Sequence, residues 1–389
     1  MTMSVPTRFA ADKRWSEKAA RPLRLVAGAG AQPTADEIEA LRAGLIRRDE
    51  PAAALVHAVR ETPGLSILDL HRALAAGPDA EVAEPFRTFF DIVTKRPDWV
   101  DDRLLARGAE ACRAFGMDAG LVLAYGSLLG GYRTAAALEP LVRTGRLTGG
   151  ETLRRIKETS IWWRAVTAPG GLATGGEGWR LSVHVRVMHA LVNAQLADDP
   201  GWDWANRGVP INQYDQASTL GVFSTSFLLH LRLLGVRLKK TDAEAVMHLW
   251  SYVGWLMGVD DAWLPRTERQ GRRLLYHFLS NDPPPDANTL ALAKALIHMT
   301  DEVVGGRWRR LYERERALSV STWLLGRAAM RDLGLPYRPP WYGLARVGAN
   351  LLVSQGLGRL PGGRGRLLRR SERQARAQFA RWGEELPSP

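Results

Sequence analysis

Every long apolar segment of this chain repeats at three- and four-residue intervals. None alternates at the two-residue interval of a half-buried strand. That periodicity predicts an all-α fold. The run TADEIEALRAGLIRRDEPAAALVHAVRE opens on a capping residue, Thr34, and places acids in its first turn. SILDLHRALAAG, EPFRTFFDIVTKR, TDAEAVMHLWSYVGWLMGV, ERQGRRLLYHFLS and RALSVSTWLLGRAAMRDLG keep the same spacing. Residues 1–35 mix charge with Gly, Ala and Pro, and are expected to form a loosely packed N-terminal arm. A single large helical domain is expected over 36–335, with Pro336, Pro339 and Pro340 marking the exit into a basic tail over 336–389.

Composition narrows the class. At 389 residues and 46% hydrophobic content, the chain can bury a sizeable core. It has no eighteen-residue apolar run, so no membrane-spanning helix is expected, and MTMSVPTRFAADKRW lacks the apolar centre of a secretory signal. One cysteine, Cys112, leaves no internal disulfide and no thiolate-rich metal site, and the expected setting is a reducing cytoplasm. The net charge is +12, and nine arginines fall from Arg346 to Arg381. Such a tail suits peripheral contact with an anionic membrane, or simply a solvated C-terminus. No nucleic-acid motif accompanies the charge, so no nucleic-acid partner is expected.

The stretch over 151–196 carries the chemistry. It reads as two helices joined by a glycine-rich break, and the second, WRLSVHVRVMHALVNAQL, sets Arg186 and His189 one turn apart on one face. Their helix is otherwise Val, Met, Ala and Leu, and an unpaired buried polar group costs about 1–3 kcal/mol. Either these two side chains find partners in the core, or something bound there satisfies them. Phosphate loops, dinucleotide fingerprints, the G-x-S-x-G elbow, H-E-x-x-H and repeated Glu-x-x-His pairs are all missing. A lone helical histidine suffices for iron when a porphyrin supplies the other ligands, and Arg186 would then meet a propionate. The alternative is an ordinary hydrogen-bonded core histidine. His57, His71 and His184 are expected to be surface or packing residues, His184 lying about 140° around the helix from His189. Gly120, Gly126, Gly130 and Gly131 suit close helix packing or a flat ligand.

Five pieces together resemble the catalytic domain shared by rubber oxygenases (latex-clearing proteins) and MpaB-type oxygenases. They are GYR and GRL between Gly131 and Leu147, RRIKET at 154–159, RVMHALV at 186–192, GVPINQYD at 208–215, and MHLWSYVGWLMGVDDAWLP at 247–265. The resemblance is best over 131–265. It implies an all-helical fold, globin-like in the broad sense, enclosing a b-type haem between core helices with His189 as axial iron ligand. It also implies a distal Arg-x-x-Lys-Thr run, matched here by Arg155 and Thr159, but with Glu158 at the lysine position. Lys157 would point about 100° away. Glu139 matches a glutamate proposed as a base, and His248 matches a histidine outside the iron's ligand set, here expected to hold helices together or to meet a haem edge. Asn212, Gln213 and Asp215 match a polar cluster, although turn bonding and helix capping explain them equally. The implied activity is a haem-dependent oxygenase using dioxygen on an apolar, unsaturated, isoprenoid-like substrate. Haem carriage or sensing without turnover, and a cofactor-free helical protein, are the alternatives.

Overall fold

The helix Lys240–Leu256 has no solvent face: from Ala243 onward only Glu244, His248 and Trp255 escape full burial. A helix apolar all round must be covered all round, and the rest of the chain does this. The structure, a computed structural model, describes residues 5–10, 13–77, 80–143, 151–355 and 362–384. Within them every regular element is helical and no strand occurs, as the periodicity requires. No single helix there is long and apolar enough to cross a membrane. The GRL piece at 145–147 lies outside the described residues.

The closest cover is the helix Asp102–Ala114. Gly108 makes that approach possible, since a Cβ there would stand 2.4 Å from the Ala245 carbonyl oxygen. On another side, Trp250 stacks on Phe223 at 5.3 Å and tilts against Trp162 at 5.7 Å. These rings tie the buried helix to Glu151–Val166 and to a helix that starts at Gln213. Thr34 caps Ala35–Gly44 with the reciprocal Glu37 bond that its sequence announces.

Both ends of the chain belong to the domain more closely than their composition suggests. The expected arm contributes Phe9 and Arg8, both buried, and a helix, Lys13–Ala27, that packs along Glu268–Leu279. The Arg8 guanidinium donates to Asp215 at 2.8 Å in a buried pair. The described part of the tail is equally engaged. Arg346 makes a forked pair with buried Asp118, and the helix Gly363–Arg381 docks on Asp102–Ala114 through Arg364 to Glu110, the same guanidinium reaching Asp242 on Lys240–Leu256. Charge alone concealed this, because such pairs join residues far apart in sequence.

Beside the Arg8–Asp215 pair lies Asp282, buried, with Oδ1 3.2 Å from the Tyr214 hydroxyl and Oδ2 without a hydrogen-bond partner. Burial, then the Asp215 charge, pushes its carboxyl up to about 7, against the pull of Arg8. The folded state therefore holds a proton that an unfolded carboxyl of pKa about 3.9 releases. Stability from this group is full below about pH 4, falls as pH rises toward 7 and is level above it. Replacing Asp282→Asn should abolish that slope: urea midpoints of parent and variant should converge near pH 4–5, with the variant the more stable at pH 8.

Candidate functional site

The helix Glu177–Ala197 begins where Gly178 allows it to cross the end of the preceding helix, a Cβ there standing 2.6 Å from the Ala165 carbonyl oxygen. From that crossing it turns two different faces to its surroundings. Val183, Val187 and Ala190 are packed in protein. Leu181, His184, Val185, Met188, His189 and Val192 instead line a cavity of about 1940 Å³. Single-ligand pockets span about 300–1,000 Å³, so this one has room for a prosthetic group and a substrate together.

Several other elements line it. Glu151–Val166 contributes Arg155, Ile156, Thr159 and Trp162, and the helix from Gln213 contributes Gln216, Thr219 and Phe223. The first and last helices close the remainder, through Pro22, Leu23 and Val26 on one and Phe379 on the other.

His189 sits on the cavity wall with Nδ1 shut off from solvent and without a hydrogen-bond partner. The residue is only half-buried, because its remaining ring edge faces the cavity. Burial lowers its pKa, opposed by the Gln216 side chain and the Asp49 charge, so the ring is neutral and its lone pair is available. Among the described residues no three His, Cys, Asp or Glu side chains cluster as metal ligands. An iron here would bring most of its ligands with it. Haem does that, and the orphaned histidine atom with apolar neighbours fits it.

His184 also faces the cavity, with Nδ1 2.9 Å from Nε2 of His71. Burial lowers both pKa values, and the partner's charge lowers that of His71 further, so the pair shares one hydrogen bond between neutral rings. Arg155 is half-buried near Tyr132, whose hydroxyl burial pushes up to about 12 against the opposing Arg155 charge. Thr159 is exposed on the cavity side. Glu158 opens to the same space and pairs with Arg154 at 2.9 Å. Lys157 turns away, donating to the Trp382 carbonyl at 2.5 Å and pairing with Glu384.

Three expected site residues lie elsewhere. Arg186 belongs to Asp49, which it grips through Nε at 2.5 Å and through a second nitrogen at 2.8 Å, with Phe89 beneath the guanidinium. Its charge is spent, so it is no propionate partner. His248 accepts the Asp101 amide N–H at 2.9 Å and meets the edge of Trp99, fixing the start of the Asp102–Ala114 helix rather than a haem edge. Glu139 is buried among Arg143, Arg207 and Asn288, at 3.3, 3.5 and 3.3 Å, and does not line the cavity; nothing there lets it act as a base. Asn212 proves to be a helix cap, whereas Asp215 and Gln213 also hold residues far away in sequence, Asp215 by pairing with Arg8. Asn212 accepts from the Asp215 amide, and Gln213 bridges Gly258 and Asp260. Cys112 is buried, its thiol pushed up to about 12, and is no nucleophile.

Fold and site together define a helical protein walling an apolar cavity with neutral histidines on its lining, His189 among them. Residues 113–353 match the family described as ER-bound oxygenase mpaB/B'/Rubber oxygenase, catalytic domain, and the chain belongs to that family. The match runs well beyond the 131–265 core that the motifs mark. The rubber oxygenase of Streptomyces sp. (strain K30) is 26% identical over 281 residues, 71% of this chain and 66% of that one. The chain thus matches just under two thirds of that relative's length. Among solved structures, latex clearing protein LCP in the closed state has the same fold, with a TM-score of 0.65 at 22% identity, over 84% of this chain and 90% of that one.

The Arg186–Asp49 pair supplies a direct check. Arg186→Met strands a buried carboxylate, and should cost about 3–5 kcal/mol by urea denaturation. A normal urea midpoint with weakened binding of added hemin would instead put Arg186 in the site.

Proposed function

We propose that this protein is a haem b-dependent oxygenase that adds dioxygen to an apolar, unsaturated, isoprenoid-like substrate. The observation that carries it is His189, a neutral imidazole with an orphaned nitrogen on the wall of an oversized apolar cavity. Bound haem would supply the activation of dioxygen that no side chain here can provide. The chain's own part is to hold and shape. His189 would hold the iron, with Gln216 within reach of its ring. Arg155 and Thr159 give the cavity polar points on a different wall, and Trp162 and Phe223 keep water from the space between. One dioxygen across one carbon–carbon double bond yields two carbonyl groups, so cleavage balances without added electrons. A reducing cytoplasm remains part of the proposal on the single cysteine alone. Peripheral membrane contact is proposed from Arg366, Arg369, Arg370 and Arg373, all exposed on the last helix.

A second reading, haem carriage or sensing without turnover, is favoured by one observation. Glu158, a carboxylate paired with Arg154, stands where the resemblance calls for a lysine.

The absorption spectrum tests the first claim. Purified protein should show a Soret band in ferric and dithionite-reduced forms, and His189→Ala should lose or shift it. A colourless parent that also fails to take up added hemin would sink both haem readings. Ferrous protein given dioxygen with squalene, farnesol or polyisoprene then separates the two: carbonyl products support the oxygenase, and a coloured protein inert toward all three supports carriage. Glu158→Lys should alter the ferric spectrum of the coloured protein if position 158 faces the iron, and leave it unchanged if it does not.

A further inference from the structure

The cavity has a polar patch far from His189. The helix that starts at Gln213 continues through a π-helical turn, Val222–Ser226, into Phe227–Leu233 without a break. One face lines the cavity throughout, by way of Gln216, Thr219, Phe223, Ser226, His230 and Leu233. A second π-helical turn, Leu123–Leu128, packs against the first. Such turns are rare and recur at functional sites. Where these two meet, three polar side chains converge. Ser127 Oγ lies 3.1 Å from Ser226 Oγ, and His230 Nδ1 lies 3.2 Å from Ser226 Oγ and 3.4 Å from Ser127 Oγ. Gly126 gives the ring its place, since a Cβ there would stand 2.9 Å from His230 Cγ.

The serines engage only one side of this imidazole. His230 Nε2 makes no hydrogen bond among the described residues, and the half-buried ring borders the cavity. Burial lowers the ring's pKa to about 4, so it is uncharged at neutral pH. Leu229, Leu233, Leu324 and Leu325 line the same cavity. A few placed polar groups in an apolar pocket are what fix a ligand's orientation. An uncharged cluster suits an uncharged oxygen.

Position along the helix adds a length. Gln216, beside His189, and His230 are fourteen residues apart on this continuous helix, roughly 20 Å at about 1.5 Å per residue. That is the scale of a long isoprenoid chain.

We propose that Ser127, Ser226 and His230 form a subsite that hydrogen-bonds the alcohol or carbonyl terminus of a long isoprenoid whose chain extends back toward His189. The isoprenoid nature of the chain and its direction rest on the oxygenase reading; the polar subsite stands on its own geometry. The substrate class becomes an isoprenoid with one uncharged oxygen end, rather than a plain hydrocarbon.

The test is a binding titration on the full chain as purified, followed by tryptophan emission, with Trp162 in the cavity wall as reporter. Geranylgeraniol is compared with the hydrocarbon of the same skeleton lacking the hydroxyl. The parent should bind the alcohol about 3- to 10-fold more tightly, the value of one net neutral hydrogen bond. His230→Phe should erase that preference and leave the hydrocarbon's affinity unchanged. If His230→Phe fails to fold by circular dichroism, Ser127→Ala, which removes a single oxygen, should reduce the preference while His230→Gln retains part of it. Equal binding of alcohol and hydrocarbon by the parent overturns the proposal. So does a folded His230→Phe that keeps the preference, or tighter binding of geranylgeranyl diphosphate than of the alcohol. A colourless protein that still prefers the alcohol would reject haem and keep the subsite; a coloured protein without the preference does the reverse.

Discussion

A helix with no outward polar face has to be wrapped, and the wrapping of Lys240–Leu256 sets where everything else can go. One partner must come close enough to touch backbone, which Gly108 permits. Other partners meet it through the ring cluster of Trp162, Phe223 and Trp250. Those same rings lie at the edge of the large cavity. A dry void of about 1940 Å³ cannot persist. At roughly 24 cal/mol per Å³ it would cost several times the 5–15 kcal/mol by which a folded protein is stable. The space is filled, by solvent or by a guest, and its apolar walls favour the guest.

The helical architecture could be read from spacing because helical period is a local property. Capping is local too, and Thr34 and Asn212 do what their neighbours in sequence announce. His189 was recognisable because an imidazole among Val, Met, Ala and Leu has no local partner. The failures share one cause. Arg186 looked equally isolated, but its carboxylate is Asp49, 137 residues away. His248 finds its donor at Asp101, and Glu139 finds Arg207 and Asn288. His230 drew no notice, since LLHLRLL resembles any core helix and its serine partner at 127 lies 103 residues upstream. Only the π-helical turns mark the place, and no simple periodicity reports those.

Relative to the family pattern, the wall carrying Arg155 and Thr159 is altered in one charge. Glu158 faces the cavity with Arg154 beside it, while the nearest lysine in sequence is taken up by the last helix. The cavity therefore meets a paired carboxylate at this point and no lysine amine. The histidines run the other way: burial lowers the pKa of His184, His189 and His230, so that wall offers lone pairs and neutral donors instead of charge. This chain therefore sets a neutral histidine and a paired carboxylate on the walls of one apolar volume.

The cavity's walls come from both ends of the described chain, with Leu23 and Val26 on the first helix and Phe379 and Trp382 on the last. During synthesis the histidine helix emerges nearly two hundred residues before the last wall does. Until then that part of the cavity wall is missing. Retention of anything bound there must wait for the final helix to dock through Arg364 onto Glu110 and Asp242. The helix Gly363–Arg381 is thus a late wall of the site, and a chain truncated before it would carry the histidine helix without that wall.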